Sequence, residues 1–566
     1  MRSLQTMLTL VAVSCSAPPA VAAATPKLVT ATYLGTPGDD DLQDAAIADD
    51  GTICVAGNVD RPLAPLSGGT KAVTLGEPVK GTWYRAGLVA AFNADGTKLL
   101  RVAQFARGQV FLTTVLPAGD GVYVGGYAVR EAAAMFEPLG GLFPDPERAN
   151  AVPLENPLPG EPNPPPNSLP SRPEVDPSGK HEVLTIKTRH HGDKDGVPFV
   201  ARLSRDLGTI EAATFLEGHH YAWNIAMPLY EEEWTPVGIV AVRGGDLVVL
   251  HDGGAPVHHY YGPDYVSRLS PDLKERTWRF DVWHPEIQPI DKIRRRREEF
   301  REWKYPILGQ IRTLRMRGDE QGNVYLGGWS VSMTSNEPWW CPFLWKLDPR
   351  GNVGWKAYSF DPMGGPDGRM GGLVSDSAIR AMAIGDGGDL LVSGISDGGN
   401  TVLRRDPRDY SKSGPEFRRG LGGMKGRELY VGHLMRLDAK TRELRAGTML
   451  GSYADRGYEP AWAVDVAGLP GRRILAVGRH SRNHAATPDA WFDAKTDRGM
   501  FLSVFADDFE KLFSTNVPDA IPYAVARRGP RCVIVGMAAS GRTPSVKPLF
   551  AKHAGNLDGY LMVADF

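Results

Sequence analysis

Cysteine is scarce in this chain, with four among 566 residues, and one of them, Cys15, lies in the N-terminal stretch. No Cys-x-x-Cys, Cys-x-x-Cys-His or His-Glu-x-x-His spacing occurs, so the ready-made ligand sets for structural zinc, attached haem and metalloprotease zinc are missing. An excess of charge of one sign is missing as well. Sixty-four basic residues face 66 acidic ones, which gives no reason to expect a nucleic-acid or membrane-surface partner. Beyond the N-terminus no apolar run is long enough to cross a bilayer. Kinase and P-loop signatures are read as absent, and so is a Gly-x-Ser-x-Gly nucleophile elbow.

Glycine and proline, at 65 and 45 residues, are plentiful, as a chain of hairpins and surface loops requires. Residues 44–105 set the pattern. A short apolar strand ends in Asp49-Asp50-Gly51, a second strand covers 52–57, and after an insert a third covers 87–92. The turn Asn93-Ala94-Asp95-Gly96 then leads into a fourth strand at 97–105. The unit recurs. Second strands are read at 52–57, 122–126, 246–251, 323–328, 389–394, 473–478 and 532–536, and third strands begin at Leu88, Phe199, Tyr265, Phe343, Leu434, Phe501 and Leu561. Both series number seven. The alternation Phe343-Leu344-Trp345-Lys346-Leu347-Asp348, followed by Pro349-Arg350-Gly351-Asn352, is a hairpin signature. The chain begins with a lone outer strand at 28–35 and ends with a unit lacking one, so the first strand is expected to complete the last unit and close a ring without exposed edges. The expected fold is all-β, a seven-bladed β-propeller of four-stranded antiparallel blades. Cys54 and Cys532 fall on equivalent strands of neighbouring units. Packed sheets lie about 10 Å apart, beyond the roughly 4.4–6.8 Å that bridged Cα atoms need, so buried free thiols are expected.

Particular residues resemble a known family. Thr32-Tyr33-Leu34-Gly35, Gly38-Asp39-Asp40, Ala45-Ala46-Ile47-Ala48-Asp49, Gly51 and Val55-Ala56-Gly57 are similar to the bacterial seven-bladed β-propeller repeat abbreviated SBBP. Met449-Leu450-Gly451 with Ala463-Val464-Asp465 resembles a second copy. Asp246, Cys532 and the region around Glu231 depart from the pattern. The resemblance implies this fold and export, and no single activity. The N-terminus itself reads as an export signal, with Arg2, an apolar run over 7–13 and small residues through Ala22 to Ala24. Residues 1–24 are therefore expected to be a signal peptide and 25–566 one propeller, secreted or periplasmic and monomeric. A lipid anchor at Cys15 is the lesser alternative.

The long segments fall between second and third strands or between units, and both kinds of connection emerge on one face of a propeller. A binding site is expected there, on a rigid scaffold. The insert at 129–197 is rich in proline over 143–177 and reads as an extended, solvated arm. The insert at 284–310 holds a helix over 291–305, whose arginines pair with its glutamates. His190-His191, His219-His220, His251 and His258-His259 crowd the inserts of the second and third units. Adjacent histidines on a strand point to opposite faces, so no metal site is assigned. Asp39-Asp40-Asp41 and Asp193-Lys194-Asp195-Gly196 read as turns rather than calcium loops.

First strands enter and second strands leave at the insert-bearing end of the channel. The former supply Asp44, Arg312, Arg380 and Trp462, and the latter Asn58, Tyr127, His251, Asp252, Trp329, Arg479 and His480. Of these, His251, Asp252, Arg312, Trp329, Arg380, Trp462, Arg479 and His480 are the expected ligand-binding residues, with no cofactor. Arginine forks suit carboxylate or sulfate, and indoles suit sugar ring faces. The expected function is a recognition scaffold for a carbohydrate or protein ligand. The alternative is a lyase on an acidic polysaccharide, with Arg312, Arg380 and Arg479 neutralising a uronate and His251 or His480 as base.

Overall fold

A computed structural model of the chain describes residues 25–63, 72–80, 85–144, 196–217, 236–252, 264–282, 311–333, 338–358, 377–396, 401–418, 431–454, 457–481, 484–492, 498–550 and 553–566. The helical insert at 284–310, residues 145–195 of the insert at 129–197, and every predicted insert histidine except His251 lie outside them. The strands form seven antiparallel blades of four. Their innermost strands are Asp41–Ile47, Val110–Ala118, Gly238–Ala241, Ile311–Gly318, Ala378–Ile384, Ala461–Leu469 and Ala520–Arg528, defining blades 1 to 7 in order. Blade 1 carries a fifth strand, Ala72–Leu75, parallel to its outer strand Leu99–Phe105.

The first strand closes the ring. Lys27–Leu34 pairs antiparallel with Asp558–Asp565, Ala31 opposite Met562, and becomes the outer strand of blade 7. Thr30 Oγ1 donates to the Val546 carbonyl at 2.9 Å, and the Tyr33 hydroxyl donates to that of Thr543. Each blade joins its strand pairs through short turns, and in blade 4 acidic residues close them. Asp319 Oδ1 accepts from the Gln321 and Asn323 amides at 3.0 and 2.9 Å. Asp348 does the same for Arg350 and Asn352, at 2.8 and 2.9 Å. Gly322 and Gly351, at φ +84° and +83°, take the left-handed position that a side chain would resist.

The core lies in the seams between blades. Phe343, Trp345 and Leu347 of blade 4 meet Val248 and Val266 of blade 3 in one such seam. Cys54, Cys341 and Cys532 are buried free thiols. For Cys54 and Cys532, burial pushes the thiols up to about 11 and about 12, which keeps them protonated and unreactive.

One irregularity shapes the channel. In six of the seven innermost strands the register skips a residue: Gln43, Thr113, Leu314, Arg380, Val464 and Tyr523 are each bulged out. A bulge re-aims the side chain it carries. Facing each bulge stands a glycine, namely Gly57, Gly126, Gly328, Gly394, Gly478 and Gly536 in turn. A Cβ on any of them would crowd the carbonyl oxygen two residues before the bulge, at 2.8 Å or less. In blade 3 the equivalent position is His251, opposite Tyr265 as Gly328 is opposite Phe343, and the register of Gly238–Ala241 with Leu247–Asp252 ends at Leu250, one residue short of it. In the other six blades the facing glycine leaves the room that the bulge takes up.

Candidate functional site at the channel mouth

The six bulge residues line one cavity of about 70 Å³, together with Pro236 of blade 3 and Arg315. Each lies near the start of its strand, which places the cavity at the insert-bearing end of the channel. Arg315, next to the bulged Leu314, reaches across the ring. Its Nη1 donates to the Leu314 carbonyl at 3.0 Å, and its Nη2 to those of Val464 and Tyr523 at 3.2 and 3.3 Å. Two residues further on, Arg317 Nη2 donates to both oxygens of Asp465, at 2.9 and 3.1 Å.

The residue after the bulge also fastens neighbouring blades. Asp465 accepts from the Val525 amide of blade 7 at 3.0 Å. Asp44, its counterpart in blade 1, accepts from the Val115 amide of blade 2 at 3.0 Å and from Thr114 Oγ1 at 2.9 Å. Burial pushes the Asp44 carboxyl up, against these hydrogen bonds and the charge of Arg317. Asn58 Oδ1 takes the Leu112 amide at 2.9 Å, a further clasp between blades 1 and 2. Asp44 and Asn58, expected at the mouth, hold the scaffold together.

The other expected residues divide. Arg380 lines the cavity. Trp329 is buried in a small apolar cluster with Leu314, Ala378 and Ile395, against which the half-buried Trp462 packs. Arg479 lies opposite Trp462 in the strand register, and His480 opposite Ala461. His480 is buried, and burial pushes it down to about 4. Arg312 stands in the seam between blades 3 and 4, its Nη1 3.6 Å from Asp264, which also accepts from the Thr313 amide at 2.6 Å. Asp252 ends its strand opposite Asp264. Tyr127 is fully buried. Arg380 and the Trp329 cluster therefore meet around Leu314, while Arg312 and His251 occupy other seams.

His251 belongs to a cluster that no sequence spacing could assemble. Glu217, just past the outer strand of blade 2, accepts on Oε1 from Arg276 and, at 3.0 Å, from Arg279, both of blade 3. His251 Nε2 lies 3.9 Å from Glu217 Oε2. The Arg279 guanidinium sits 4.9 Å from the centre of the Tyr265 ring, and the His251 ring 5.3 Å from it. Burial, helped by the two arginines and opposed by Glu217, pushes His251 down to about 4, so it is neutral at neutral pH. Burial works against charge on Glu217, but the surrounding cationic groups hold its carboxyl below the usual range. Separate elements of two blades supply these side chains.

One motif in the sequence corrects the expectation that no nucleophile signature is present. Gly394-Ile395-Ser396-Asp397-Gly398 spells Gly-x-Ser-x-Gly, and Ser396 Oγ lies 2.8 Å from His433 Nε2. The serine stands on the second strand of a propeller blade rather than on a strand-to-helix elbow. Both residues are buried, Phe417 packs edge-on to the imidazole, and burial with the nearby Arg404 charge pushes His433 down to about 3. A base so weak does not activate serine at neutral pH. A fluorophosphonate probe is expected to leave Ser396 unlabelled, as read by peptide mass spectrometry, and labelling would mean an activated serine.

The acidic run near the mouth is structural. Asp40 accepts from the Thr36 amide, from Thr36 Oγ1 at 3.0 Å and from the Asp60 amide at 2.7 Å, while Asp41 is bonded to Arg85 and Asn58. Burial raises Asp40 to about 6 despite those hydrogen bonds and the Arg85 charge. The folded chain therefore holds this proton more tightly than the unfolded one. The stability it contributes is complete below pH ~4 and is lost as pH rises through ~6, about 3 kcal/mol in all at about 1.36 kcal/mol per unit. Asp40→Asn is expected to flatten that segment of the stability profile, measured by urea denaturation between about pH 4 and 7. Among the described residues no group of three His, Cys, Asp or Glu side chains is placed to hold a metal ion, and no helix is long and apolar enough to cross a membrane.

Strand order, ring closure and channel define a seven-bladed β-propeller, the architecture that the repeat resemblance implies. No protein-family model matches the sequence, and no curated protein matches it. Solved structures similar to it include a protein of unknown function from Dyadobacter fermentans, 9% identical with a TM-score of 0.38, spanning 96% of this chain and 100% of that one. The polysaccharide lyase Uly1 is 10% identical with a TM-score of 0.41, over 94% and 92% of the two chains. The β-propeller domain of the Trilobed protease from Pyrococcus furiosus is 7% identical with a TM-score of 0.36, over 91% and 99%. At such values no activity passes from these proteins to this one.

Proposed function

We propose that the protein is an exported recognition scaffold that holds a carbohydrate or protein ligand over the insert-bearing mouth of the channel. One observation carries this reading: six blades each deliver a bulged side chain to the same cavity, facing a glycine that makes the bulge possible. Such bulges re-aim side chains on an otherwise rigid sheet, and rigid scaffolds with elaborated loops are where binding sites are built. The half-buried Trp462 offers an indole edge beside the cavity. The apolar N-terminal run and the resemblance of the first unit to bacterial exported repeats support export.

The alternative reading, a lyase on an acidic polysaccharide, draws no support from the Glu217, His251, Arg276, Arg279 and Tyr265 cluster, whose imidazole is fully buried and pushed down to about 4, too weak a base to abstract a proton at neutral pH. The two readings separate in one experiment. The chain from Thr25 onward is screened against neutral and acidic polysaccharides, and ultraviolet absorbance is followed in the same wells. Binding without new absorbance at the unsaturated-uronate wavelength is expected, and Trp462→Ala should weaken it about tenfold, the scale of one lost aromatic contact. A rise in absorbance that His251→Ala abolishes would establish the lyase. No binding and no absorbance would overturn the carbohydrate reading and leave a protein ligand, sought next by crosslinking.

A further inference from the structure

Blade 5 carries an insert between its second strand, Asp389–Ser396, and its third, Val431–Asp438. Second strands end at the insert-bearing face, and none of the insert's described residues lines the channel cavity. Past Thr401 the chain makes a single 3₁₀ turn, Val402–Arg404, whose backbone is fixed on both sides. The Arg404 amide donates to the Thr401 carbonyl and the Arg404 carbonyl accepts from the Gly414 amide, both at 2.9 Å. The buried Leu403 packs against Gly394, and its carbonyl accepts from the Tyr358 hydroxyl at 3.3 Å. Arg404 and Arg405 leave the end of this turn close enough for one charge to act on the other. Arg404 Nε is buried and meets no hydrogen-bond acceptor. Among the described residues Arg404 has no acidic partner, and the Arg405 guanidinium has one hydrogen bond, from Nε to Thr401 Oγ1 at 3.4 Å. The acids of the insert are committed elsewhere. Asp406 takes two bonds from Arg408, at 2.9 and 2.8 Å, and Asp409 pairs with Lys412 at 3.0 Å. Glu416 is exposed and pairs with neither arginine. Nearby, the buried His433 has its Nε2 2.8 Å from Ser396 Oγ, while its Nδ1 has no hydrogen-bond partner. A half-buried guanidinium beside a second one, with no acid, is costly to hold. Burial and the Arg405 charge push Arg404 down from its usual range, yet a guanidinium does not give up its proton.

We propose that Arg404 and Arg405 form an oxyanion site, which takes one doubly charged tetrahedral group, a sulfate or a phosphate. Two adjacent guanidiniums match two negative charges, and their forks pair with such oxygens through parallel N–H donors. The pinned turn presents Arg404 from a backbone already ordered, which reduces the cost of binding. His433 lies within reach of the Arg404 charge, which helps to push it down. An anion there offsets that charge, so occupancy should bring the imidazole back up. The oxyanion is either free in solution or an ester group pendant on a larger ligand. In the latter case the site is a second anchor for the ligand of the recognition scaffold, and to that extent the inference rests on the proposed function.

The test is isothermal titration of the purified chain with sodium sulfate, phosphate, acetate and chloride at matched ionic strength, followed by glucose 6-sulfate, glucose 6-phosphate and glucose. Saturable binding of sulfate or phosphate is expected, tighter than that of acetate, with Arg404→Gln weakening it on the order of 10- to 100-fold, the loss of a hydrogen bond to a charged group. Arg528→Gln, which removes an exposed cation at a hairpin turn of blade 7, should leave it unchanged. In chloride buffer Arg404→Gln should unfold at the same urea midpoint as the unsubstituted chain or a higher one, and sulfate should raise the midpoint of the unsubstituted chain alone. A lower midpoint, with sulfate protecting both chains alike, would overturn the site. Should Arg404→Gln fail to fold, Arg405→Glu carries the same test by placing a carboxylate beside Arg404, and it must abolish sulfate binding. Sugar esters binding more tightly than the inorganic ions, while glucose does not bind, would assign the site to a pendant group. Affinity no greater than that of the inorganic ions would assign it to a free anion. Equal heats from all four salts, or sulfate binding untouched in the variants, would overturn the site. Polysaccharide binding without saturable sulfate or phosphate binding would remove the oxyanion site and leave the scaffold reading standing. Sulfate binding lost in Arg404→Gln, with no polysaccharide bound by the unsubstituted chain, would do the reverse.

Discussion

Asp465→Ala is expected to destabilise the ring by about 3–5 kcal/mol, read from the urea midpoint at unchanged m-value. The carboxylate is 2% exposed and serves three partners at once: Arg317 from blade 4, the Val466 amide of its own strand and the Val525 amide of blade 7. Removing it leaves one guanidinium without its acid and two backbone donors without an acceptor, and each orphaned donor costs about 1–3 kcal/mol. Because Arg317 is 32% exposed, water recovers part of the ionic loss, and the amides carry most of the effect. Arg317→Met combined with Asp465→Ala should therefore restore only a small part. Asp409→Ala, at an exposed turn pair with Lys412, should change stability by about 0.5 kcal/mol or less. An Asp465→Ala loss no larger than that of Asp409→Ala would mean that the channel-spanning contacts do not hold the blades.

Gly328→Ala should be nearly as damaging, at about 3 kcal/mol, the upper end of overpacking costs. A Cβ there would overlap the Arg312 carbonyl oxygen and stand 3.0 Å from the Thr313 Cα, both backbone atoms that cannot swing away. Overpacking against a fixed neighbour typically costs about 1–3 kcal/mol, and here relief requires the bulge itself to flatten. A flattened strand turns Leu314 out of the channel and breaks the reach of Arg315 across it, so the change should also weaken ligand binding at the mouth. Gly354→Ala is the control. Its nearest neighbour would be the Lys346 carbonyl at 3.5 Å, an ordinary contact, and the loss of glycine's freedom in the unfolded chain should make it neutral or stabilising by about 0.4–1 kcal/mol. Equal effects at the two positions would mean that the glycine is a strand-ending habit with no link to the bulge.

These two residues also show how far the sequence can be read. Blade number and ring closure are legible because the cues are local: a glycine near the end of most second strands, an Asp-x-x-Gly-Asn turn such as 319–323, and a lone first strand matched by an incomplete last unit. The bulges are not legible from the residues that make them. Gln43, Thr113, Leu314, Arg380, Val464 and Tyr523 share no chemical type, since the skipped position is set by the glycine facing it. A strand reading without the bulge places Arg312 and Asp44 at the mouth, whereas the structure turns the first toward Asp264 and makes the second a clasp between blades. Arg380 is within reach of that reading because it is itself a skipped residue, and Arg315 escapes it because it is the residue after one. The Glu217 cluster draws on blades 2 and 3 at positions 217, 251, 265, 276 and 279, a meeting that only the ring geometry creates.

The claim on which the rest depends is that ligand engages the insert-bearing mouth. Hydrogen exchange of the protein, alone and saturated with the tightest-binding polysaccharide of the screen, tests it most directly. Protection is expected at the starts of the innermost strands, in Ile311–Gly318 and Ala378–Ile384 above all, with the hairpin turns at 319–323 and 348–352 unchanged. Protection confined to those turns would place the ligand on the opposite face and contradict the account.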